Sequence, residues 1–277
     1  MAESDTDARA GSAAGEPARP VPFAPVLVAF GMFSRVPVPA VAWTPDAMRT
    51  MLAALPLVGV FQGVVVWAVG AALAAAGLPA PLIAAALTVS PVAVNGGIHL
   101  DGLSDTSDAL ASHADRATLL RILSDPHIGA FGVLAIACHL LLAFALWLSL
   151  GESAPALAAV LPLMPAVYAL SRALSGFAVA TWPSAKETGL ASGFSRAAAP
   201  RLVPALLVFE AVAASLALTG FGLVPGAGAV ACALAVLAWY HRVAMTRFGG
   251  VTGDLAGWFL QNAELVMLAC LVAGWCL

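Results

Sequence analysis

Three carboxylates, Asp101, Asp105 and Asp108, fall within Asn-Gly-Gly-Ile-His-Leu-Asp-Gly-Leu-Ser-Asp-Thr-Ser-Asp (residues 95–108), in a chain of which only 10% is charged. On a helix turning about 100° per residue, the second lies at about 40° and the third at about −20° from the first, so all three leave one face. Short acidic side chains on one face suit a hard cation with oxygen ligands. Mg²⁺ in particular leaves much of its coordination to water and substrate phosphate. Spacing alone also permits a solvated loop between helices. His99, two residues ahead of the cluster, could orient a phosphate, ligate a metal or merely hydrogen-bond backbone.

Three further polar segments carry candidate chemistry. Ser124-Asp-Pro-His-Ile-Gly-Ala-Phe-Gly132 contains Asp125 and His127. A helix start with Asp125 near the N-cap and Pro126 in the first turn explains it equally well, and such a terminus also favours an anion. Trp182-Pro-Ser-Ala-Lys-Glu-Thr-Gly-Leu190 offers Lys186, and Gly249-Gly-Val-Thr-Gly-Asp254 offers a further carboxylate. Asp125 and Asp254 are candidates to complete a metal site begun by the first three acids. Lys186, Arg172, Arg196 and Arg201 are candidate diphosphate contacts, although any one of them could serve topology alone. Glycines such as Gly129 and Gly250 allow the backbone to approach a substrate closely, and Thr252 lies in the same segment as the latter.

The elements that must position these groups are membrane helices. The 277 residues are 61% hydrophobic, with a mean hydropathy of +0.96, and a soluble domain of this length needs far more charge on its surface. Seven apolar runs approach the roughly 20 residues that cross a bilayer: near 51–77, 79–98, 129–150, 156–180, 202–220, 226–243 and 255–276. The expectation is an all-α polytopic bundle forming one catalytic domain over 21–277, preceded by a disordered tail over 1–20. Residues 23–33 are too short to span and suit an interfacial or re-entrant segment. The tail carries acids where a signal peptide would be basic, so no cleavable leader is expected.

With seven spans, eleven of the twelve Lys and Arg residues open onto one side, Arg172 lies in the nearer half of its helix, and the other side has none. This is the positive-inside pattern, which makes the basic side cytoplasmic and the N-terminus with it. All four polar segments open there too. Glu264 lies about ten residues into the last run, at a depth that costs about 2.5–3.5 kcal/mol, so it is expected to face the bundle or a wet cavity. Glu210 and His139 sit mid-run and could pair, as a structural hydrogen bond or a proton path; the first is preferred. Cys138, Cys232, Cys270 and Cys276 show no metal spacing and read as buried thiols.

In these motifs the chain resembles the cobalamin synthase family, the adenosylcobinamide-GDP ribazoletransferases. The likeness runs through most of residues 25–265. It rests on Phe33-Ser-Arg-Val-Pro-Val-Pro39, Leu55-Pro-Leu-Val-Gly59, Gly97-Ile-His-Leu-Asp-Gly-Leu-Ser-Asp-Thr-Ser-Asp108, Asp125-Pro-His-Ile-Gly-Ala-Phe-Gly132 and Gly249-Gly-Val-Thr-Gly-Asp254. Ala109 replaces a usual Gly, and Pro126-His127 replaces a common Ser-Arg, which makes His127 a candidate for the arginine's phosphate contact.

The resemblance implies a Mg²⁺-dependent transferase of the bacterial inner membrane with its site facing the cytoplasm. It would join adenosylcobinamide-GDP to α-ribazole, or α-ribazole 5′-phosphate, with release of GMP. Asp101, Asp105, Asp108 and His99 would carry catalysis; Asp101, Asp105, Asp108, Asp125 and Asp254 would hold metal. Lys186, Arg172, His127, Gly129, Gly250 and Thr252 would bind substrate. The implied partners are these small molecules and the lipid bilayer; no nucleic acid is expected. Self-association, or association with other late enzymes of the pathway, stays open. A CDP-alcohol phosphotransferase is the alternative enzyme, but Asp101-Gly102 lacks the Ala-Arg that should follow. A proton-coupled transporter is the alternative outside enzymes, and the far side is too bare of polar groups to favour it.

Overall fold

The computed structural model describes residues 22–220 and 222–276, so the expected tail over 1–20 lies outside the described residues. Among the described residues thirteen α-helices follow one another: α1 Ala24–Phe33, α2 Pro45–Thr50, α3 Leu55–Ala75, α4 Ala80–Asn95, α5 Ile98–Ala111, α6 Arg116–Ile122, α7 Ala130–Gly151, α8 Ala154–Val160, α9 Met164–Thr181, α10 Leu190–Ala197, α11 Leu202–Gly220, α12 Leu223–Val243 and α13 Gly253–Cys276. Among the described residues no β-strand forms, as the sequence pattern predicts.

Among the described residues six segments are long and apolar enough to cross a bilayer: Pro45–Ala75, Ala130–Gly151, Ala154–Thr181, Leu202–Gly220, Val224–Phe248 and Gly253–Trp275. The run expected over 79–98 behaves differently. α4 stops at Asn95, and α5 departs from it at 93°. The 16 residues of α4 make about 24 Å, short of the roughly 30 Å hydrocarbon layer. α4 does not qualify as a span by itself; joined to α5, the bent pair would make a seventh. Pro91 interrupts α4 and leaves the Leu87 carbonyl without its helical donor. The Ser90 hydroxyl reaches that oxygen at 3.3 Å.

Small residues set how closely the helices pack. On α3, Gly59 and Gly63 form a Gly-x-x-x-Gly face against α9, and a Cβ at either would collide with the backbone at Tyr168 or Pro165. α12 and α13 join through aromatic pairs, Trp239 with Trp258 at 4.4 Å and Tyr240 stacked on Phe259 at 5.1 Å. The exposed apolar side chains of α7 and α11, Leu141, Leu142, Phe209 and Leu216 among them, form the lipid-facing surface. α1 is a ten-residue apolar helix, too short to span, as expected. Gly63→Ala should therefore force α3 from α9 and cost about 1–3 kcal/mol, measured as a lowered thermal midpoint of the detergent-solubilised protein.

Candidate active site

The turn from α4 into α5 is built by Asn95, Gly96 and Gly97. Both glycines take positive φ, 70° and 84°, which L side chains avoid, and the Asn95 Oδ1 accepts the Gly97 N–H at 2.8 Å. That bond orients the amide so that its NH₂ faces His99 Nδ1 at 3.4 Å. Nδ1 is thereby assigned as acceptor and Nε2 as the protonated nitrogen. Burial, then the charge of Arg172, lowers the His99 pKa well below its ordinary value, so the imidazole is neutral.

α5 then crosses α13 at glycine contacts. A Cβ on Gly102 would lie 2.6 Å from the Asp254 carbonyl oxygen, and one on Gly257 would lie 3.2 Å from that of His99. This close crossing carries Asp254 to the acidic face of α5. The Asp105 carboxyl is pushed up to about 6, first by burial and then by the charges of Asp101, Asp254 and Asp108. Four acids from two helices thus share one field.

Asp108 has a second duty. Its Oδ2 accepts the Gly129 N–H at 2.7 Å and its Oδ1 the Gly132 N–H at 2.9 Å, so it caps α7 from across the chain. A Cβ at Gly129 or Gly132 would occupy the space of this carboxylate, which explains both glycines of Ile-Gly-Ala-Phe-Gly. The reading of Asp125 as cap is corrected: α7 begins at Ala130, and Asp125 lies in the turn before it. Its carboxylate bonds the His127 backbone N–H at 3.0 Å and ring at 2.8 Å. The other charge acting on it is Arg121, so the structure leaves Asp125 and the exposed His127 outside the carboxylate group.

Lys186 arrives by a different device. Val251 N–H donates to Pro183 O at 2.8 Å and Ala185 N–H to Val251 O at 2.9 Å, tying the loop after α9 to the loop before α13. Gly250 must be glycine because a Cβ would strike the Pro183 carbonyl. The Lys186 ammonium donates to Ser124 Oγ at 2.8 Å, and its charge acts on Asp254. The Thr252 hydroxyl accepts the Leu255 N–H at 3.1 Å at the start of α13. A π-helical turn, Ala244–Phe248, ends α12 just before Gly249.

Two cavities meet at Asp254. One, of about 180 Å³, has Lys186, Thr188, Ser192 and Thr252 among its lining residues, with Leu190 and Val251. The other, of about 160 Å³, has mainly apolar walls and is also lined by His99 and Asp101.

A sequence model described as Cobalamin-5-phosphate synthase matches residues 25–272. The chain belongs to the cobalamin-5-phosphate synthase family. The adenosylcobinamide-GDP ribazoletransferase of Lachnoclostridium phytofermentans is 35% identical over 250 residues, 89% of this chain and 92% of that protein. The protein of the same name from Pseudomonas paraeruginosa is 37% identical, covering 89% and 96%, and that from Geobacillus kaustophilus 33%, covering 87% and 92%. No solved structure matches. The chain is a membrane transferase of cobalamin biosynthesis.

Membership in this family directs attention to the cations, and here one expectation changes. Arg172 is 0% exposed and gives no face to a substrate. Its guanidinium is paired with Glu264 and donates to Ser171 Oγ at 2.9 Å, Tyr168 O at 3.3 Å and Gln62 Oε1 at 3.2 Å. An arginine among apolar residues of α9 is stable only when so neutralised, and Glu264 faces the bundle as predicted. Glu210 and His139 do not pair: the first lines a groove between α3, α9 and α11, the second a separate cavity that Glu264 also lines.

Sequence reasoning missed Asn95, Gln62 and the Gly102–Gly257 crossing. Asn95 had a usable signal, a lone amide at the end of an apolar run before two glycines.

The donor chemistry of Asp101, Asp105 and Asp254 fits Mg²⁺. Among the described residues no three such side chains close into a finished metal cage. Mg²⁺ needs only one or two carboxylates when water and phosphate supply the rest. The crowding also has a measurable cost. Because Asp105 keeps its proton to about pH 6 when folded and loses it near 3.9 when unfolded, its ionisation opposes folding as pH rises between those values. Asp105→Asn should raise the thermal midpoint at pH 7.5 without divalent cation, and the gain should vanish near pH 4. Added Mg²⁺ should stabilise the wild type but not the variant.

Proposed function

We propose that this chain transfers the cobinamide-phosphate group of adenosylcobinamide-GDP to a ribose hydroxyl of α-ribazole, or of its 5′-phosphate, releasing GMP. The observation that carries the reading is the gathering of four carboxylates from α5 and α13 with Lys186 beside them. Displacement at phosphorus chiefly needs in-line positioning and charge neutralisation. Mg²⁺, when bound by Asp101, Asp105 and Asp254, neutralises the diphosphate and the departing phosphate oxygen.

Lys186, on the more polar cavity, holds the diphosphate by charge. Asp101, exposed on the wall of the apolar cavity, is placed to accept the proton of the attacking hydroxyl. His99, neutral with Nδ1 occupied, donates from Nε2 and positions an acceptor oxygen or nitrogen. Asp108 holds the start of α7 against α5 and keeps the acidic face in place.

The site faces the cytoplasm of a bacterial inner membrane. Lys and Arg crowd its side and are absent from the opposite joints. Glu187→Cys should react with an impermeant maleimide only in inside-out vesicles, and Glu152→Cys only in right-side-out ones; the reverse pattern inverts the topology.

Purified protein given adenosylcobinamide-GDP, α-ribazole and Mg²⁺ should release GMP in step with coupled product. Lys186→Met should raise KM for the donor about tenfold or more, the scale of one charge-assisted contact, and leave the acceptor KM unchanged. Asp101→Asn should lower kcat by a factor of about 10² or more. Wild-type protein that releases no GMP under these conditions would refute the assignment.

A further inference from the structure

We infer that the apolar cavity beside Asp101 is the seat of the acceptor's aromatic base, an inference that rests on the reaction proposed above. Its apolar walls come from six helices: Phe33 of α1, Leu55 of α3, Ile98 of α5, Val179 of α9, Phe194 of α10 and Leu260 of α13. His99, Asp101 and Asp254 also line it. The cavity therefore borders two of the four carboxylates, beside which the reacting hydroxyl must sit.

The two substrates present different bases. Guanine carries several donors and acceptors, and burying them against Val, Leu and Phe would leave them unpaired at a high cost. The 5,6-dimethylbenzimidazole of α-ribazole is a flat bicycle with two methyl groups and one free acceptor nitrogen. It needs apolar walls and a single donor. The cavity has those walls, and His99, with Nδ1 turned to Asn95, retains Nε2–H as its remaining donor. Among the described residues the side-chain hydrogen bond of His99 is the Asn95 contact at Nδ1, and His99 lines this cavity.

The neighbouring cavity offers more polar groups. Lys186, Thr188, Ser192 and Thr252 are among its lining residues, which suits a phosphorylated, hydrogen-bonding group. Asp254 borders both. Donor and acceptor thus enter by separate cavities and meet at the acids between them.

The test fills the cavity from two helices independently. Val179→Phe on α9 and Ala256→Leu on α13 are each assayed by GMP release, with α-ribazole and with the riboside of unsubstituted benzimidazole. Losing room for the methyl groups should raise KM for α-ribazole about tenfold and change KM for the smaller acceptor by no more than about twofold, the usual range for one or two methyl-sized contacts. KM for adenosylcobinamide-GDP should stay at the wild-type value, which also shows that the variant is folded. Phe194→Ala, which enlarges the cavity, should shift the preference the other way.

Variants that penalise both acceptors equally, or that raise the donor KM instead, overturn the assignment. So does an unchanged acceptor KM in both filled variants, the result expected if a lipid chain occupies the cavity. Absence of GMP release by the wild type would instead remove the reaction on which the inference depends.

Discussion

The close approach of α5 and α13 is the constraint on which the site depends. Gly102 and Gly257 let the two backbones touch, and contact at that point brings Asp254 to the face that carries Asp101 and Asp105. The arrangement is unfavourable by itself, since like charges in a partly buried place repel and one carboxyl holds its proton to about pH 6. Packing elsewhere sustains that repulsion, and a bound cation with its phosphate would relieve it. A fold that spends stability to crowd acids at a membrane edge has the character of a functional site.

The support lies deeper in the bundle. Arg172 on α9 reaches Glu264 on α13 and Gln62 on α3, so one buried guanidinium ties together three spans. Gly59 and Gly63 bring α3 close enough for this to happen. The same charge lies near enough to His99 to help keep its ring neutral. Losing either partner would strand an unpaired charge in an apolar interior, the most damaging outcome for such a pair. The network therefore positions α13, and with it Asp254.

Much of this was legible in the sequence for physical reasons. Apolar runs near the length of a bilayer reveal spans directly, and a helical period places Asp101, Asp105 and Asp108 on one face. The Gly-x-x-x-Gly of α3 was also available to a reader looking for close helix contacts. What stayed hidden depends on partners distant in the chain. Asp108 caps a helix that starts more than twenty residues later, and Asp125, the local candidate, turns to its own neighbour His127. Arg172 looked like a substrate contact because sequence gives its depth only coarsely and not its partner, which lies 92 residues away. Glu210 and His139 share a depth in the apolar runs but face different cavities.

Direct measurement of cation binding by the two-helix acidic face probes the account most closely. Mn²⁺ substitutes for Mg²⁺ and reports binding by its paramagnetic resonance. Titrating the detergent-solubilised wild type and Asp254→Asn should show bound Mn²⁺ in the first and markedly weaker binding in the second, because α13 supplies a ligand that α5 cannot replace. Equal Mn²⁺ binding by the two proteins would contradict the claim that the crossing of α5 and α13 builds the site.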